Sequence, residues 1–290
     1  MTKIAMVTGQ ALPHIGGVEI HIDRICKELV KDQSLDVTVI CAAAGVSDYP
    51  YKVMRDYSLR NREYLNQFDI VHFHDFIHYL HVDVPSYITF HGWEGHCPPD
   101  PSIAIQRRNI CHNVRGVIHV GDYMRKWYGT NHYNDRTIMG GCYPKPYSDH
   151  SGYRSIGYVG QLRQDKGVNI YEEAAKMVPG LKLEVASNIP PDMIDKFWED
   201  KAFGFCNGYL ASLEAMINSV PCIAYYANEM VEDGLSEMPL YLARNAAEIA
   251  KGLEISTSEY KELSKLSHEY AMRNTWEIAA NTYKSLWGLL

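Results

Sequence analysis

Short apolar runs alternate along the chain with longer stretches whose apolar residues recur at helical spacing. "KIAMVTG" (3–9) has the continuous hydrophobic character of a strand covered on both faces. "VEIHIDRICKELVKD" (18–32) places Ile20, Ile25 and Leu29 on one side of a helix, and "LDVTVICAA" (35–43) returns to strand. Together they predict a βαβ unit. The runs "FDIVHFH" (68–74), "SYITFHG" (86–92) and "GVIHVG" (116–121) predict later strands of the same parallel sheet, separated by helical or loop material. After the turn-rich "GGCYPKPYSDHSGYRS" (140–155) the pattern restarts. A strand is expected at "IGYVGQL" (156–162), a helix over 168–178, a strand at "LKLEVAS" (181–187) and a helix near 192–199. "GFCNGYLASLEAMINSVPCIAYY" (204–226) then joins a small-residue segment to a helix and an apolar strand-like run, and a last helical stretch runs from about 258 to the end. The expected fold is α/β: two Rossmann-like, doubly wound parallel-sheet domains facing a cleft, with ligands at the carboxyl ends of the strands.

Composition narrows the function classes. The 290 residues, 46% of them hydrophobic, suffice for the cores of two ordinary domains. Lys+Arg 28 against Asp+Glu 35 gives a net charge of −7, so no overall charge recruits nucleic acid or an anionic membrane. "RRNICHNVR" (107–115) and "RKWY" (125–128) are the basic clusters with adjacent aromatics. They read as solvated helix faces, with room for peripheral contact with an anionic acceptor or lipid phosphate. The N-terminus enters an apolar run without a secretory leader, and no stretch reaches the length of a membrane span, so a soluble, cytoplasmic chain is expected. Seven cysteines, odd in number and free of CxxC spacing, argue against a disulfide framework or a zinc knuckle and for a reducing compartment.

The candidate chemistry lies where strands give way to helices. In "PHIGGVEIH" (13–21), Gly16 and Gly17 let the backbone approach a ligand, and the helix start that follows offers unpaired N–H groups to a phosphate; a tight loop is the alternative. "GYVGQLRQDKGVNI" (157–170) holds the equivalent place in the second half, where Lys166 beside a glycine could neutralise a diphosphate leaving group or simply line a surface turn. Glu214 sits among Leu213, Ala215 and Met216, and a carboxylate there needs a partner: the two hydroxyls of a ribose, or a neighbouring base. His72 and His74, with His78, His81, His91 and His96 nearby, raise a metal site. Asp75 points away from the face the first two share, however, and no second group of Asp, Glu and His completes the ligands.

Taken in order, "GGVEIH", "FDIVHFHD", "ITFHG", "GYVGQLRQDKG", "LASLEAMINSVPCIA" and "NTWEIAANTYKSLW" resemble the family 4 retaining glycosyltransferases, which have the GT-B fold. The resemblance implies an acceptor-side domain over 1–145, a nucleotide-sugar domain over 146–272, and a helix over 273–290, with Trp276, crossing back to the first domain. It implies that Gly16 and Gly17 touch the donor phosphate, that His91 meets the donor sugar near the reacting carbon, and that Lys166 holds the diphosphate. Leu210 and Ala211 would bind phosphate through their backbone, Glu214 would bind the ribose, and Glu19 and Trp93 would lie on the acceptor side. His91 and Lys166 would be the catalytic pair. The family glutamate eight residues before the ribose-binding one is Cys206 here, and Gln161 stands where the family has arginine. Arg163 could supply the missing guanidinium, other groups could hold the donor, or transfer could be weakened. The stretch before Cys206 is short for the family, so the second domain reads as reduced.

The implied reaction is transfer of a sugar, in the manner of a hexosyltransferase, from a nucleotide-diphosphate donor to a carbohydrate or glycolipid hydroxyl. Anomeric configuration is retained, no cofactor or metal is required, and the pathway is glycan or glycoconjugate biosynthesis. Two alternatives stay open: a catalytically weakened GT-B protein acting as a partner subunit, and an epimerase or phosphorylase of the same architecture.

Overall fold

The structure is a computed structural model that describes residues 1–43, 48–92, 96–163, 166–187 and 189–290. The chain divides into two compact units, Met1–Met139 with Trp276–Leu290, and Gly140–Thr275. Among the described residues no helix is long and apolar enough to cross a membrane.

The first unit runs β1 (Thr2–Val7), α1 (Gly17–Leu29), β2 (Leu35–Ile40), β3 (Lys52–Met54), α2 (Arg62–Leu65), β4 (Ile70–His74), β5 (Ser86–Phe90), α3 (Pro101–Cys111), β6 (Gly116–His119), α4 (Tyr123–Tyr128) and β7 (Asp135–Thr137). Its sheet is parallel throughout, in the order β3-β2-β1-β4-β5-β6-β7. Ile4, Met6, Val39, Val71, Phe73, Ile88 and Phe90 are fully buried, which is why these strands read as unbroken apolar runs. The strand order reverses between β1 and β4. A crevice at the carboxyl ends forms at such a point, and it is where a doubly wound sheet takes its ligand. The edge strands β3 and β7 are only three residues long and partly exposed, too short for a period to single them out.

The second unit runs β8 (Ser155–Val159), α5 (Val168–Met177), β9 (Lys182–Ala186), α6 (Ile194–Trp198), β10 (Lys201–Phe205), α7 (Tyr209–Ile217), β11 (Cys222–Tyr225), α8 (Glu229–Leu235), β12 (Tyr241–Ala243), α9 (Ala246–Leu253) and α10 (Thr257–Met272). Its smaller parallel sheet has the order β12-β11-β10-β8-β9, with its reversal between β8 and β10. Ile156, Tyr171, Phe205, Ile223 and Ile249 lie at the centre of its core.

The final helical stretch, expected from about 258, is two helices, α10 and then a helix within the expected 273–290. After α10 the Asn274 side chain donates to Tyr270 O at 2.9 Å, and Asn274 O accepts from Cys142 N at 3.1 Å. These bonds turn the chain out of α10, and α11 (Trp276–Trp287) then packs along α1 in the first unit. The reading of "RRNICHNVR" as a solvated face fails for Arg107, which is 1% exposed. Its guanidinium lies over the rings of Tyr128 at 4.3 Å, Phe90 at 5.1 Å and Phe76 at 5.3 Å, so cation–π contact replaces water around the charge.

Candidate functional site

In the first unit, the carboxyl ends of β4 and β5 carry His72, His74 and His91, and α1 brings His21 against them. His21, His72 and His74 are buried; His91 keeps part of its surface open. The His21 and His91 rings meet edge-on at 5.0 Å, and His74 stacks on His91 at 5.1 Å. Burial pulls the His21 pKa down to about 4 and holds His72, His74 and His91 well below the usual histidine range. All four are therefore neutral imidazoles near pH 7.

Neutral rings fix the direction of the hydrogen bonds. The Trp287 indole can only donate, and it donates to His72 Nδ1 at 3.1 Å, so the His72 proton sits on Nε2 and goes to Thr89 Oγ1 at 2.7 Å. Thr89 in turn donates to Tyr283 Oη at 2.9 Å, and Tyr283 donates to His21 Nε2 at 3.0 Å. The opposite direction would leave the Thr89 proton without an acceptor among these contacts. Both nitrogens of His72 are thus taken by Trp287 and Thr89, and Nε2 of His21 by Tyr283; among the described residues no group of His, Cys, Asp and Glu is arranged to hold a metal ion. His91 is bound through Nε2 to His74 Nδ1 at 2.8 Å, and its main-chain N–H donates to Asp75 Oδ1 at 2.8 Å. Asp75 has φ +70°, a strained conformation for a residue with a side chain. His74 Nε2 is buried with no hydrogen-bond partner among the described residues.

Gly16 is the N-cap of α1 and Gly17 its first residue. Glu19, three residues into the helix, folds its carboxylate back over Gly16: a Cβ there would lie 2.3 Å from Glu19 Oε2. A side chain at 16 would push the carboxylate aside, and with glycine there the carboxylate sets a negative charge beside the backbone that the resemblance gives to a phosphate. His14 Nδ1 stands 3.5 Å from the carboxylate. A cavity of about 450 Å³ opens alongside, lined by Gln10, His14 and Arg55 among others. Trp93 lies outside the described residues.

In the second unit the candidates gather at the ends of β8 and β10. Gln161 and Arg163 are exposed, and Arg163 Nη1 donates to Gln161 Oε1 at 3.4 Å. Lys166 is half-buried; its main-chain N–H donates to Arg163 O at 3.0 Å, and Gly167 follows at φ +65°. Leu210 and Ala211 lie in the first turn of α7, whose N-cap, Gly208, gives no side-chain cap, so the first amides of that helix face outward unpaired by the helix itself. Glu214 follows on the same helix, half-buried, while Leu213, Ala215 and Met216 are fully buried. Cys206 is also fully buried, its Sγ 3.6 Å from Cys222 Sγ and 3.6 Å from Ala211 O. Its side chain belongs to the core beneath α7.

Sequence reasoning misses the residues that hold these groups. Tyr283, Trp287 and Thr89 order the histidines, and Asn207 and Tyr171 order the Lys166 main chain. For Tyr283, Trp287, Thr89 and Tyr171 the signal is a polar atom at a position that packs as core, as in the "Y" of "NTYKSLW"; the half-buried Asn207 has none.

The family model described as Glycosyltransferase Family 4 matches residues 15–138. The likeness to that family is thus borne out, on the segment that holds α1, the strand histidines and His91. No curated protein matches the chain. Among solved structures, HepE of Anabaena in complex with UDP-glucose is 14% identical, with 100% of each chain covered and a TM-score of 0.76. A glycosyltransferase of Rickettsia africae is 12% identical over 99% of this chain and 98% of that one, with a TM-score of 0.71. A UDP-N-acetylglucosamine 2-epimerase is 13% identical over 100% and 97%, with a TM-score of 0.60. The likeness shows the fold: this is the GT-B type, two parallel-sheet α/β units of which the second has the smaller sheet. An epimerase shares it, so the fold leaves the reaction open.

Proposed function

We propose that this chain, whose residues 15–138 carry the family 4 match, moves a sugar from a uridine-diphosphate sugar to an acceptor hydroxyl with retention of configuration. The observation that carries the reading is the grouping, at the strand reversal of the second sheet, of Lys166, the uncapped start of α7 at Leu210 and Ala211, and Glu214 one turn later. A cation and outward amides suit a diphosphate, and a half-exposed carboxylate suits the ribose hydroxyls. The choice of uridine is supported by the UDP-glucose bound to HepE.

In this reading Lys166 and the α7 amides stabilise the charge that grows on the departing diphosphate. The departing phosphate oxygen takes the acceptor proton on the same face of the sugar, so neither a protein base nor a metal is required. His91, neutral and partly open, exchanges a hydrogen bond with the donor sugar, and its low pKa rules it out as a cationic acid near pH 7. The cavity beside His14 and Arg55 suits the polar surface of a carbohydrate acceptor. The seven cysteines are free, which supports work in a reducing compartment, and we place the reaction in cytoplasmic glycan or glycoconjugate assembly.

The test is incubation with radiolabelled UDP-glucose and candidate glycan acceptors, with UDP release measured and the product anomer read by NMR. Acceptor-dependent UDP release with an α-linked product supports the reading. Inversion to the β-anomer removes retention. Conversion of UDP-N-acetylglucosamine to its C2 epimer without acceptor would replace a transferase with an epimerase.

A further inference from the structure

We propose that Asn207 is a positioning residue for Lys166: its amide ties the Lys166 main chain to the end of β10, so that the lysine amine is held where the diphosphate binds. The proposal rests on the donor site assigned above. Asn207 directly follows Cys206, and the two side chains part ways. Cys206 enters the core, whereas Asn207 stays half-buried between Tyr171 and the main chain of Lys166.

The bonding pattern leaves one orientation for the Asn207 amide. Tyr171 is fully buried and stacks on Phe205 with ring centres 4.4 Å apart and planes 13° from parallel. Its hydroxyl accepts from Tyr225 N–H at 2.8 Å, so its own proton is left for Asn207 Oδ1. With Oδ1 used as the acceptor, Asn207 Nδ2 faces Lys166 O and donates to it. A second hold lies one residue on. Gly167, at φ +65°, packs so closely on Tyr225 that a Cβ would meet the ring at 2.5 Å.

Three strand ends are tied through these contacts: Lys166 and Gly167 after β8, Asn207 after β10, and Tyr225 at the end of β11. Few side chains could take the place of Asn207, because the position needs an acceptor toward Tyr171 and a donor toward Lys166 from one short group. Aspartate has no donor and would set a carboxylate against the Lys166 carbonyl. Serine is too short to span both partners. Held in this way, Lys166 meets a diphosphate with its main chain already fixed, and such preorganisation is read in affinity.

The experiment is calorimetric titration of UDP into the wild type, Asn207→Ala, Asn207→Asp, Lys166→Ala and the Asn207→Ala/Lys166→Ala double variant, with melting temperatures measured alongside. Asn207→Ala is expected to weaken UDP binding about five- to tenfold, and Asn207→Asp at least as much. In the Lys166→Ala background the same change is expected to add nothing, because the group it positions is gone. Tyr171→Phe, which keeps the buried ring and removes the hydroxyl, repeats the effect if Asn207→Ala folds poorly. Unchanged affinity in Asn207→Ala and Tyr171→Phe overturns the proposal and leaves the donor site standing. So does an equal loss with and without Lys166, the mark of a merely structural residue. A wild type that does not bind UDP overturns the donor site, and this proposal with it.

Discussion

Acid should loosen the first unit through its histidines, and His21 allows the size of the effect to be worked out. Burial sets its pKa at about 4 in the folded chain, against 6.5 as the ordinary value. Between those values the unfolded chain binds a proton that the folded chain refuses. The stability is therefore present above pH 6.5 and is lost as the pH falls toward 4. From about pH 7.5 to about pH 5 this one group costs about 2 kcal/mol. His72, His74 and His91 are shifted in the same direction by burial, and because the rings touch, their losses do not simply add. The perturbation is His21→Gln, which is neutral at every pH and can still accept from Tyr283. The assay is urea unfolding at both pH values followed by tryptophan fluorescence, since Trp276 packs on His21 and Trp287 on His72. The drop in stability between the two pH values should be about 2 kcal/mol smaller in the variant than in the wild type. Equal drops would refute the reasoning, and a uniform loss in the variant at both pH values has no bearing on it.

Tyr283→Phe removes the hydroxyl between Thr89 and His21 and leaves a buried threonine proton unpaired, so urea unfolding should show a loss of about 1–3 kcal/mol. Gly167→Ala must adopt φ +65° with its Cβ against the Tyr225 ring. A melting-temperature fall equivalent to more than about 1 kcal/mol is expected, and a neutral result would contradict the packing. Cys206→Glu places a carboxylate in the fully buried site beneath α7, so it should lower stability by roughly 2 kcal/mol or more and should not raise sugar transfer. Arg163→Ala should lower transfer more than Gln161→Ala, because the guanidinium is the only cation of that exposed pair; equal rates would remove Arg163 from the donor site.

Strands buried on both faces are easy to read, because every residue of "IAMV" or "IVHF" is buried and the run needs no period. Residues 229–253 are harder, since α8 and β12 are short and α9, although Ala246, Ile249, Ala250 and Leu253 recur at helical spacing on its buried side, spans only eight residues. Their legible marks are Asn228 and Asn245, whose side chains accept from Val231 N and Glu248 N as helix N-caps. The pair of histidines in "HFH" raises a metal site that the missing ligands argue against, and spacing along one strand says nothing about what covers it instead. The cover is α11, whose Tyr283 lies 262 positions from its partner His21. In the same way the resemblance singles out Lys166 and Glu214, whereas Asn207 and Tyr171, which matter only once β8, β10 and β11 lie side by side, carry no pattern of their own.

If the second unit holds a nucleoside diphosphate through Lys166 and Glu214, both side chains contribute to its binding. Calorimetric titration of UDP into the wild type, Lys166→Ala and Glu214→Gln tests it most directly. Each variant loses a charge-assisted contact and should bind more weakly by about 1.5–3 kcal/mol, with its melting temperature little changed. Wild-type affinity in both variants would contradict the account.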